Sequence, residues 1–317
     1  MAWLRAFGAY LPARVVDNVE LGAETGAEPD WIVRASGIEQ RRFAAQGESV
    51  ASLGIAAGMN CLENAGLGAG EIGMLLVSSS SAPLRFPGPA SAIGAGLGIA
   101  GVAAIDLPIA SAGSLFGVAL AAHLAPVYRN VLVIGTEIMS RVIERSRTHR
   151  ATAILFGDGA GACLVSHAAG FAEIRDSLLA SDGEFAASLR LELDGPICMD
   201  GRTVILQASR KIPRAVCELL EKNHLKPGDV EAFLMHQANL KLITRVAQSL
   251  GVPEHRFYCN LQRYGNTSSA SMLIAAAEWW GGRATPIDGP VILASFGAGL
   301  HWGAVLATPA RFRSSGY

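Results

Sequence analysis

The sequence contains none of the cysteine patterns that indicate a disulfide framework or a zinc site. Its 317 residues include five cysteines at wide spacings, and no CxxC pair occurs among them. Free cysteines are among the most often buried residues, so we expect buried free thiols. The five are Cys61, Cys163, Cys198, Cys217 and Cys259.

Strong charge and long apolar runs are also absent. The formal net charge is −1, which gives no general attraction to nucleic acid or to a membrane surface. The longest apolar run, residues 93–105, is rich in glycine and too short to cross a bilayer. Near the N-terminus, Arg5 interrupts a short apolar stretch that no signal-peptide cleavage site follows. We therefore expect a cytoplasmic protein with no nucleic-acid partner and no membrane partner.

Aromatic residues are scarce as well, at 7%, although hydrophobic residues reach 50% and glycines number 36. This combination predicts a large core of small, closely packed side chains, extended by an interface between subunits. Short apolar runs predict buried strands at Met74–Val77, Val102–Ile105, Val131–Ile134, Ala153–Phe156, Phe233–Met235 and Val291–Ala294. Alanine-rich stretches predict helices at about Val50–Ala65, Leu115–Leu124, Ile212–Lys222, Leu240–Leu250 and Ala270–Trp280. The alternation favours an α/β fold with a sheet covered on both faces.

The order of predicted elements repeats along the chain. In each half, strands alternate with helices and are followed by a glycine-rich segment, which we predict to be a hairpin between two strands. These segments are Gly157–Val165 and Phe296–Leu306. We interpret the repeat as two similar halves, residues 1–168 and 169–317, and the alternative is a chance similarity of two glycine-rich turns.

Ser111 lies where a predicted buried strand meets an apolar helix. Unpaired N–H groups and the helix dipole favour a developing negative charge at such a point. A nucleophile there is assisted, and its own N–H can join an oxyanion hole. Serine is also a preferred helix N-cap, and from spacing alone this structural role is the simpler interpretation.

Three further segments carry groups that suit a carbonyl substrate. His236 follows an apolar strand directly, which suits a general base or a hydrogen-bond donor, and an ordinary core histidine fits equally well. Asn266 follows Gly265 and offers an amide donor, although the pair also reads as a turn and helix cap. Glycines flank Ala298 and permit close backbone approach, so its N–H is a candidate second oxyanion donor.

Together, the order and spacing of these segments resemble the ketoacyl-ACP synthase III family. The matching motifs are Gly-Asp-Gly-Ala-Gly-Ala from 157, His-Gln-Ala-Asn from 236, Gly-Asn-Thr-Ser-x-Ala-Ser from 265 and Phe-Gly-x-Gly-x-x-Trp-Gly from 296. The match begins near Trp31 and covers nearly the whole chain. It implies a homodimer of thiolase-like subunits, each a five-layered αβαβα sandwich of two similar halves.

The resemblance also implies an activity, which is decarboxylative Claisen condensation of an acyl-CoA starter with a malonyl thioester on acyl carrier protein. No cofactor is implied beyond these substrates. By position, Ser111 occupies the nucleophile site, and His236 and Asn266 match the pair that donates to the malonyl thioester carbonyl. The N–H groups of Ser111 and Ala298 match the oxyanion hole.

Substrate-binding positions follow from the same resemblance. Trp31 and Arg150 match positions near the adenine and phosphates of CoA, and Phe86 matches a residue that lines the acyl pocket of the other subunit. Arg34 and Lys241 are the basic residues left near the expected landing site of the carrier protein. Other expected basic positions hold uncharged residues, namely Ala35, Leu206, Ala247 and Gln248.

The main departure is Ser111, because the family keeps a cysteine there. A serine hydroxyl needs a base within hydrogen-bond reach, and His236 is the evident candidate in the sequence. Three explanations stay open. The serine is native and the protein condenses, or the serine is a substitution made to trap a complex of a synthase whose native nucleophile is cysteine. In the third, the chain has left condensation for acyl hydrolysis, acyl transfer to oxygen or nitrogen, or acyl-CoA binding without turnover.

Overall fold

A computed structural model describes residues 1–192 and 195–310 of the chain. Its strands are β1 Trp3–Tyr10, β2 Arg14–Asp17, β3 Gln40–Phe43, β4 Met74–Ser78, β5 Ala103–Leu107, β6 Asn130–Ile138, β7 Asp158–Ser166, β8 Ala172–Ser181, β9 Leu189–Leu191, β10 Ile197–Met199, β11 Ala232–Met235, β12 Val291–Gly297 and β13 His301–Pro309. Its α-helices are α1 Asn18–Thr25, α2 Pro29–Ser36, α3 Val50–Ala65, α4 Pro89–Gly96, α5 Gly113–Tyr128, α6 Arg150–Ala153, α7 Gly201–Lys222, α8 Leu240–Leu250, α9 Leu261–Tyr264 and α10 Ser271–Gly281.

The large sheet consists of two parts that meet at a narrow junction. Its strand order is β11-β12-β13-β8-β1-β7-β6-β4-β5. The junction between β1 and β8 consists of two residue pairs, Trp3 with Glu173 and Leu4 with Ala172. In the first part β4 is parallel to β5 and β6, and in the second β11 is parallel to β12. The remaining neighbours in each part are antiparallel.

Helices separate the two parts of the sheet and cover their outer faces. Helices α5 and α10 lie between the parts and contact strands of both. Helices α3 and α4 pack on the outer face of the first part, and α7 and α8 pack on the outer face of the second. The resulting layer order is αβαβα, as the resemblance to the family implied. Helix α5 has almost no polar side chains because it lies between two sheets.

Two predictions around residue 157 are wrong. The segment Ala153–Phe156 is not a strand, because α6 ends at Ala153 and Phe156 forms only an isolated bridge with Asn266. The glycine-rich segment after it is not a hairpin, because its residues 158–165 all lie within strand β7. Its glycines allow close packing, since a Cβ on Gly161 would lie 2.6 Å from Leu273 Cβ and 2.8 Å from the Ile274 nitrogen. The other predicted hairpin, β12–β13, is confirmed.

Other predictions concern features spread along the chain. Cys61 and Cys163 are buried as expected, whereas the remaining three free cysteines are partly exposed. The proposed division at residues 168 and 169 falls between β7 and β8, and the similarity of the two halves stays a prediction.

Within residues 1–192 and 195–310, no helix is both long and apolar enough to cross a membrane. Over the same ranges, no cluster of three or more His, Cys, Asp or Glu side chains could hold a metal ion.

The close approach of α10 to β7 leads to a stability prediction. Gly161→Ala places a methyl group against the backbone of α10, and we expect the free energy of unfolding to fall by roughly 1–3 kcal/mol. Gly47→Ala is the matched control, because no atom lies within 4 Å of its Cβ position. Chemical denaturation monitored by circular dichroism measures both. Equal midpoints for the two variants would contradict the packing role of Gly161.

Candidate active site

Ser111 lies in a strained turn between β5 and α5. Its φ is 62°, which is uncommon for a residue other than glycine, and its side chain is buried. Ser111 is not the N-cap of α5, because the helix begins at Gly113 and Ala112 occupies the cap position without a side-chain bond. The purely structural interpretation as an N-cap is therefore wrong. Ser295 Oγ donates to the Ser111 carbonyl at 2.9 Å and ties the turn to β12.

The polar groups of Ser111 face Ser268. The Ser111 N–H donates to Ser268 Oγ at 3.0 Å, and the two hydroxyl oxygens lie 3.4 Å apart. Ser268 also has left-handed backbone, with φ of 47°. Backbone strain of this kind persists only where the surrounding structure holds it, and it clusters at active sites. Two strained serines in contact therefore mark this point as a candidate catalytic centre.

His236 follows β11 directly and is held by Ser271, the first residue of α10. Its Nδ1 lies 2.5 Å from Ser271 Oγ, which also accepts the Gln237 N–H at 3.1 Å. Among the hydrogen bonds of the described residues, His236 Nδ1 is the only acceptor available to the Ser271 hydroxyl proton. We therefore assign that proton to the bond with Nδ1, which leaves the imidazole proton on Nε2.

The burial of His236 fixes its charge. The side chain is 4% exposed, and burial lowers its pKa from 6.5 to about 4. The ring is therefore neutral near pH 7 and presents an Nε2–H donor. A ring in this tautomer has no free lone pair with which to accept the proton of Ser111.

Asn266 is fixed in an orientation that leaves its amide group free to donate. Its Oδ1 accepts the Ser268 N–H at 2.8 Å. Its backbone N–H donates to the Leu155 carbonyl at 2.8 Å, and its carbonyl accepts the Gly157 N–H at 3.0 Å. The short segment 266–271 thus carries three residues of the site. They are Asn266, Ser268, which contacts Ser111, and Ser271, which contacts His236.

The turn between β12 and β13 passes directly over the Ser111 turn. A Cβ on Gly297 would lie 1.9 Å from the Ala110 carbonyl oxygen and 2.7 Å from the Ala112 nitrogen, so only glycine fits there. This approach places the Gly297 backbone against the two residues that flank Ser111, and Ala298 is the next residue in the chain. Around the segment 266–271 the chain therefore offers a hydroxyl, backbone N–H groups and the side chains of His236 and Asn266, which is a set suited to acyl chemistry.

The five predicted substrate-binding residues form two pairs and one separate side chain. The Arg150 guanidinium lies over the Trp31 ring, 5.6 Å from its centroid. Arg34 and Lys241 are exposed at adjoining ends of α2 and α8, which Asn239 Nδ2 joins by donating to the Ala35 carbonyl at 3.2 Å. Phe86 lies on another segment, the loop between β4 and α4, and is 85% exposed.

Sequence reasoning missed a cluster of serines around a buried carboxylate. Glu137 on β6 is fully buried, and its oxygens accept hydrogen bonds from the hydroxyls of Ser80, Ser81 and Ser269 at 2.6–2.9 Å. The backbone N–H groups of Ser80 and Ser81 donate to the same carboxylate. The available signal was the run of four serines at 78–81, which directly follows a predicted strand.

Comparisons with known proteins identify the family of the chain. The family described as 3-oxoacyl-[acyl-carrier-protein] synthase III matches residues 105–183, and its C-terminal region matches residues 220–308. A beta-ketoacyl-[acyl-carrier-protein] synthase III of Oleidesulfovibrio alaskensis is 36% identical over 96% of this chain and 98% of its own length.

Solved structures give the same result. The 3-oxoacyl-[acyl-carrier-protein] synthase III of Aquifex aeolicus superposes with a TM-score of 0.93 at 31% identity, over 97% of this chain and 100% of that one. The priming beta-ketosynthase of the R1128 polyketide pathway gives 0.90 at 33% identity, over 98% and 96%. The thiolase fold expected from the sequence is confirmed.

The lowered pKa of His236 predicts a pH dependence of stability. The unfolded chain takes up a proton at this histidine below about pH 6.5, whereas the folded chain does so only near pH 4. The neutral histidine therefore makes its full contribution to the free energy of unfolding above pH 6.5. As the pH falls from 6.5 toward 4, the free energy of unfolding decreases by roughly 3 kcal/mol in all. His236→Gln should flatten this part of the curve. Unfolding free energies of both proteins between pH 7 and 4 provide the measurement, and parallel curves would contradict the assignment.

Proposed function

The chain belongs to the ketoacyl-ACP synthase III family, and we propose that it condenses an acyl-CoA starter with a malonyl thioester through an acyl-Ser111 intermediate. The observation that carries this proposal is that Ser111 and His236 both contact the segment 266–271, to which Asn266 itself belongs. The name of the curated relative includes acyl carrier protein as its substrate carrier, and one similar structure is a priming ketosynthase of a polyketide pathway. Fatty acid or polyketide biosynthesis is therefore the setting of the reaction.

Acyl transfer comes first in the proposed mechanism. Ser111 Oγ attacks the thioester carbonyl of acyl-CoA, and the carbonyl oxygen becomes an oxyanion near the N–H groups of Ser111 and Ala298. The tetrahedral intermediate collapses, the C–S bond breaks, and CoA leaves as a thiolate. Because the Ser111 N–H already donates to Ser268 Oγ, the oxyanion must share or displace that bond. The strained turn holds the N–H in place for this step.

Decarboxylation and condensation follow. The malonyl thioester carbonyl accepts hydrogen bonds from His236 Nε2–H and Asn266 Nδ2, which stabilise the enolate formed as CO2 leaves. The enolate carbon attacks the acyl-Ser111 carbonyl, and Ser111 is expelled as the C–C bond forms. A neutral imidazole suits this role, because its N–H donor is present at every pH well above 4.

Substrate and partner contacts are part of the same proposal. The stacked pair Trp31 and Arg150 offers an aromatic face and a cation to the nucleotide end of CoA. Arg34 and Lys241 offer positive charge to an acidic carrier protein. The exposed ring of Phe86 would be covered in a homodimer, where it would line the acyl pocket of the other subunit. The reaction as proposed needs no resident cofactor, since thioester substrates and protein donors supply the chemistry.

Self-acylation tests the proposed intermediate. Incubation with acetyl-, butyryl- and isobutyryl-CoA, followed by intact-protein mass spectrometry, should show a gain of one acyl group that Ser111→Ala abolishes. Ser111→Cys should also be acylated, because a thiol with an ordinary pKa of about 8.5 is partly ionised at neutral pH. Acylation of the Ser111→Cys protein alone would overturn the acyl-serine proposal and identify the serine as a disabling residue.

A second prediction separates the two half-reactions. His236→Ala and Asn266→Ala each remove a donor to the enolate, and we expect each to slow malonyl decarboxylation and condensation by roughly 100-fold or more. Acylation of Ser111 should stay within a few-fold of normal in His236→Ala, because that side chain does not accept its proton in this scheme. Release of labelled CO2 and acylation by mass spectrometry measure the two steps. Loss of acylation in His236→Ala would instead identify His236 as the base for Ser111.

A further inference from the structure

We propose that Ser268, Ser80 and Glu137 form a directional hydroxyl relay that receives the proton of Ser111 during acyl transfer and returns it on product release. This inference rests on the acyl-Ser111 chemistry proposed above. It supplies what that chemistry lacks, which is a path for the nucleophile's proton that does not involve His236.

The four groups form a continuous chain. Ser111 Oγ lies 3.4 Å from Ser268 Oγ, which lies 3.5 Å from Ser80 Oγ. The Ser80 hydroxyl donates to Glu137 Oε1 at 2.9 Å. The first two distances are long for hydroxyl hydrogen bonds, but catalytic bonds are often long without substrate and tighten in the complex.

The carboxylate gives the chain its direction. A carboxylate only accepts, so the Ser80 proton points to Glu137 and the Ser80 lone pairs face Ser268. The Ser268 proton then points to Ser80, which leaves two lone pairs on Ser268 Oγ. One accepts the Ser111 N–H and the other is available to the Ser111 hydroxyl proton. The lone pairs of Ser111 Oγ are thereby left free to attack a thioester.

The proton balance closes over one catalytic cycle. As Ser111 Oγ bonds to the acyl carbon, its proton passes to Ser268, the Ser268 proton to Ser80, and the Ser80 proton to Glu137. CoA departs as a thiolate, so it needs no proton from the site. When the enolate attacks the acyl-serine, the C–O bond breaks and Ser111 leaves as an alkoxide. The same three transfers run in reverse and restore the hydroxyl and the carboxylate.

The test compares hydroxyl deletions in two nucleophile backgrounds. Ser268→Gly removes the central hydroxyl at a position whose left-handed backbone favours glycine, and Ser80→Ala removes the next. Ser81→Ala is the matched control, because its hydroxyl donates to the other carboxylate oxygen at 2.6 Å and is not on the path to Ser111. Each change is made alone and together with Ser111→Cys. The readout is the single-turnover rate of acylation by acetyl-, butyryl- or isobutyryl-CoA, measured by mass spectrometry on variants whose thermal unfolding is checked.

With Ser111 present, we expect Ser268→Gly and Ser80→Ala to slow acylation roughly 100-fold, in the range of general base catalysis. In the Ser111→Cys background the same changes should cost no more than about threefold, because a thiolate forms without a relay. Ser81→Ala should stay within about threefold in both backgrounds.

Three results would overturn the relay. Equal losses in both backgrounds would mean that the serines only hold the turn in shape. Undiminished acylation in Ser268→Gly would refute the relay and leave the acyl-serine intermediate standing. Absence of acylation in the unchanged protein, with acylation in Ser111→Cys, would refute the proposed intermediate and the relay with it.

Discussion

The burial of one carboxylate, Glu137, determines how the parts of the site are arranged. A buried carboxylate must be surrounded by hydrogen-bond donors, because removing an unpaired charge from water is very costly. Here the donors come from the loop after β4 and from the segment 266–271, which belong to different halves of the chain. Satisfying Glu137 therefore fixes Ser269, and with it the neighbouring Ser268 and Asn266. The positions of two candidate catalytic groups, Ser268 and Asn266, thus follow from the hydrogen bonds that the buried carboxylate requires.

The same arrangement depends on the absence of side chains at key glycines. A Cβ on Gly135 would lie 2.4 Å from the Ser269 carbonyl oxygen, so β6 can carry the segment 266–271 on its face only with glycine there. Gly297 likewise allows the β12–β13 turn to pass over the Ser111 turn, and Gly161 allows α10 to pack closely on β7. The high glycine content noted at the outset is thus partly explained by close backbone contacts between layers.

Local signals in the sequence predicted some elements accurately and misled at others. Helices α3 and α8 have the predicted bounds, because a serine capping box opens the first, an Asn239 cap opens the second, and glycines close both. His236 was identified because it directly follows an apolar run, whereas Ser111 and Asn266 lie at predicted turns, and the resemblance to the family by position singled out all three. The strand predicted at Ala153–Phe156 failed because a short apolar run does not distinguish a strand from the end of a helix. The serine cluster around Glu137 joins residues that are far apart in sequence, and no local pattern reveals such contacts.

With serine in place of cysteine, the proton of the nucleophile must be removed by another group. A cysteine enzyme with a neutral histidine donor works because the thiol ionises without help. In this chain His236 is suited to the proposed donor role, since burial lowers its pKa to about 4 and Ser271 occupies its Nδ1. A histidine fixed in that way cannot also accept a proton from Ser111, so a serine nucleophile needs a second device. The Ser80 hydroxyl already donates to the buried carboxylate and the Ser268 hydroxyl already accepts the Ser111 N–H, so the proposed relay consists of groups that these contacts hold in place.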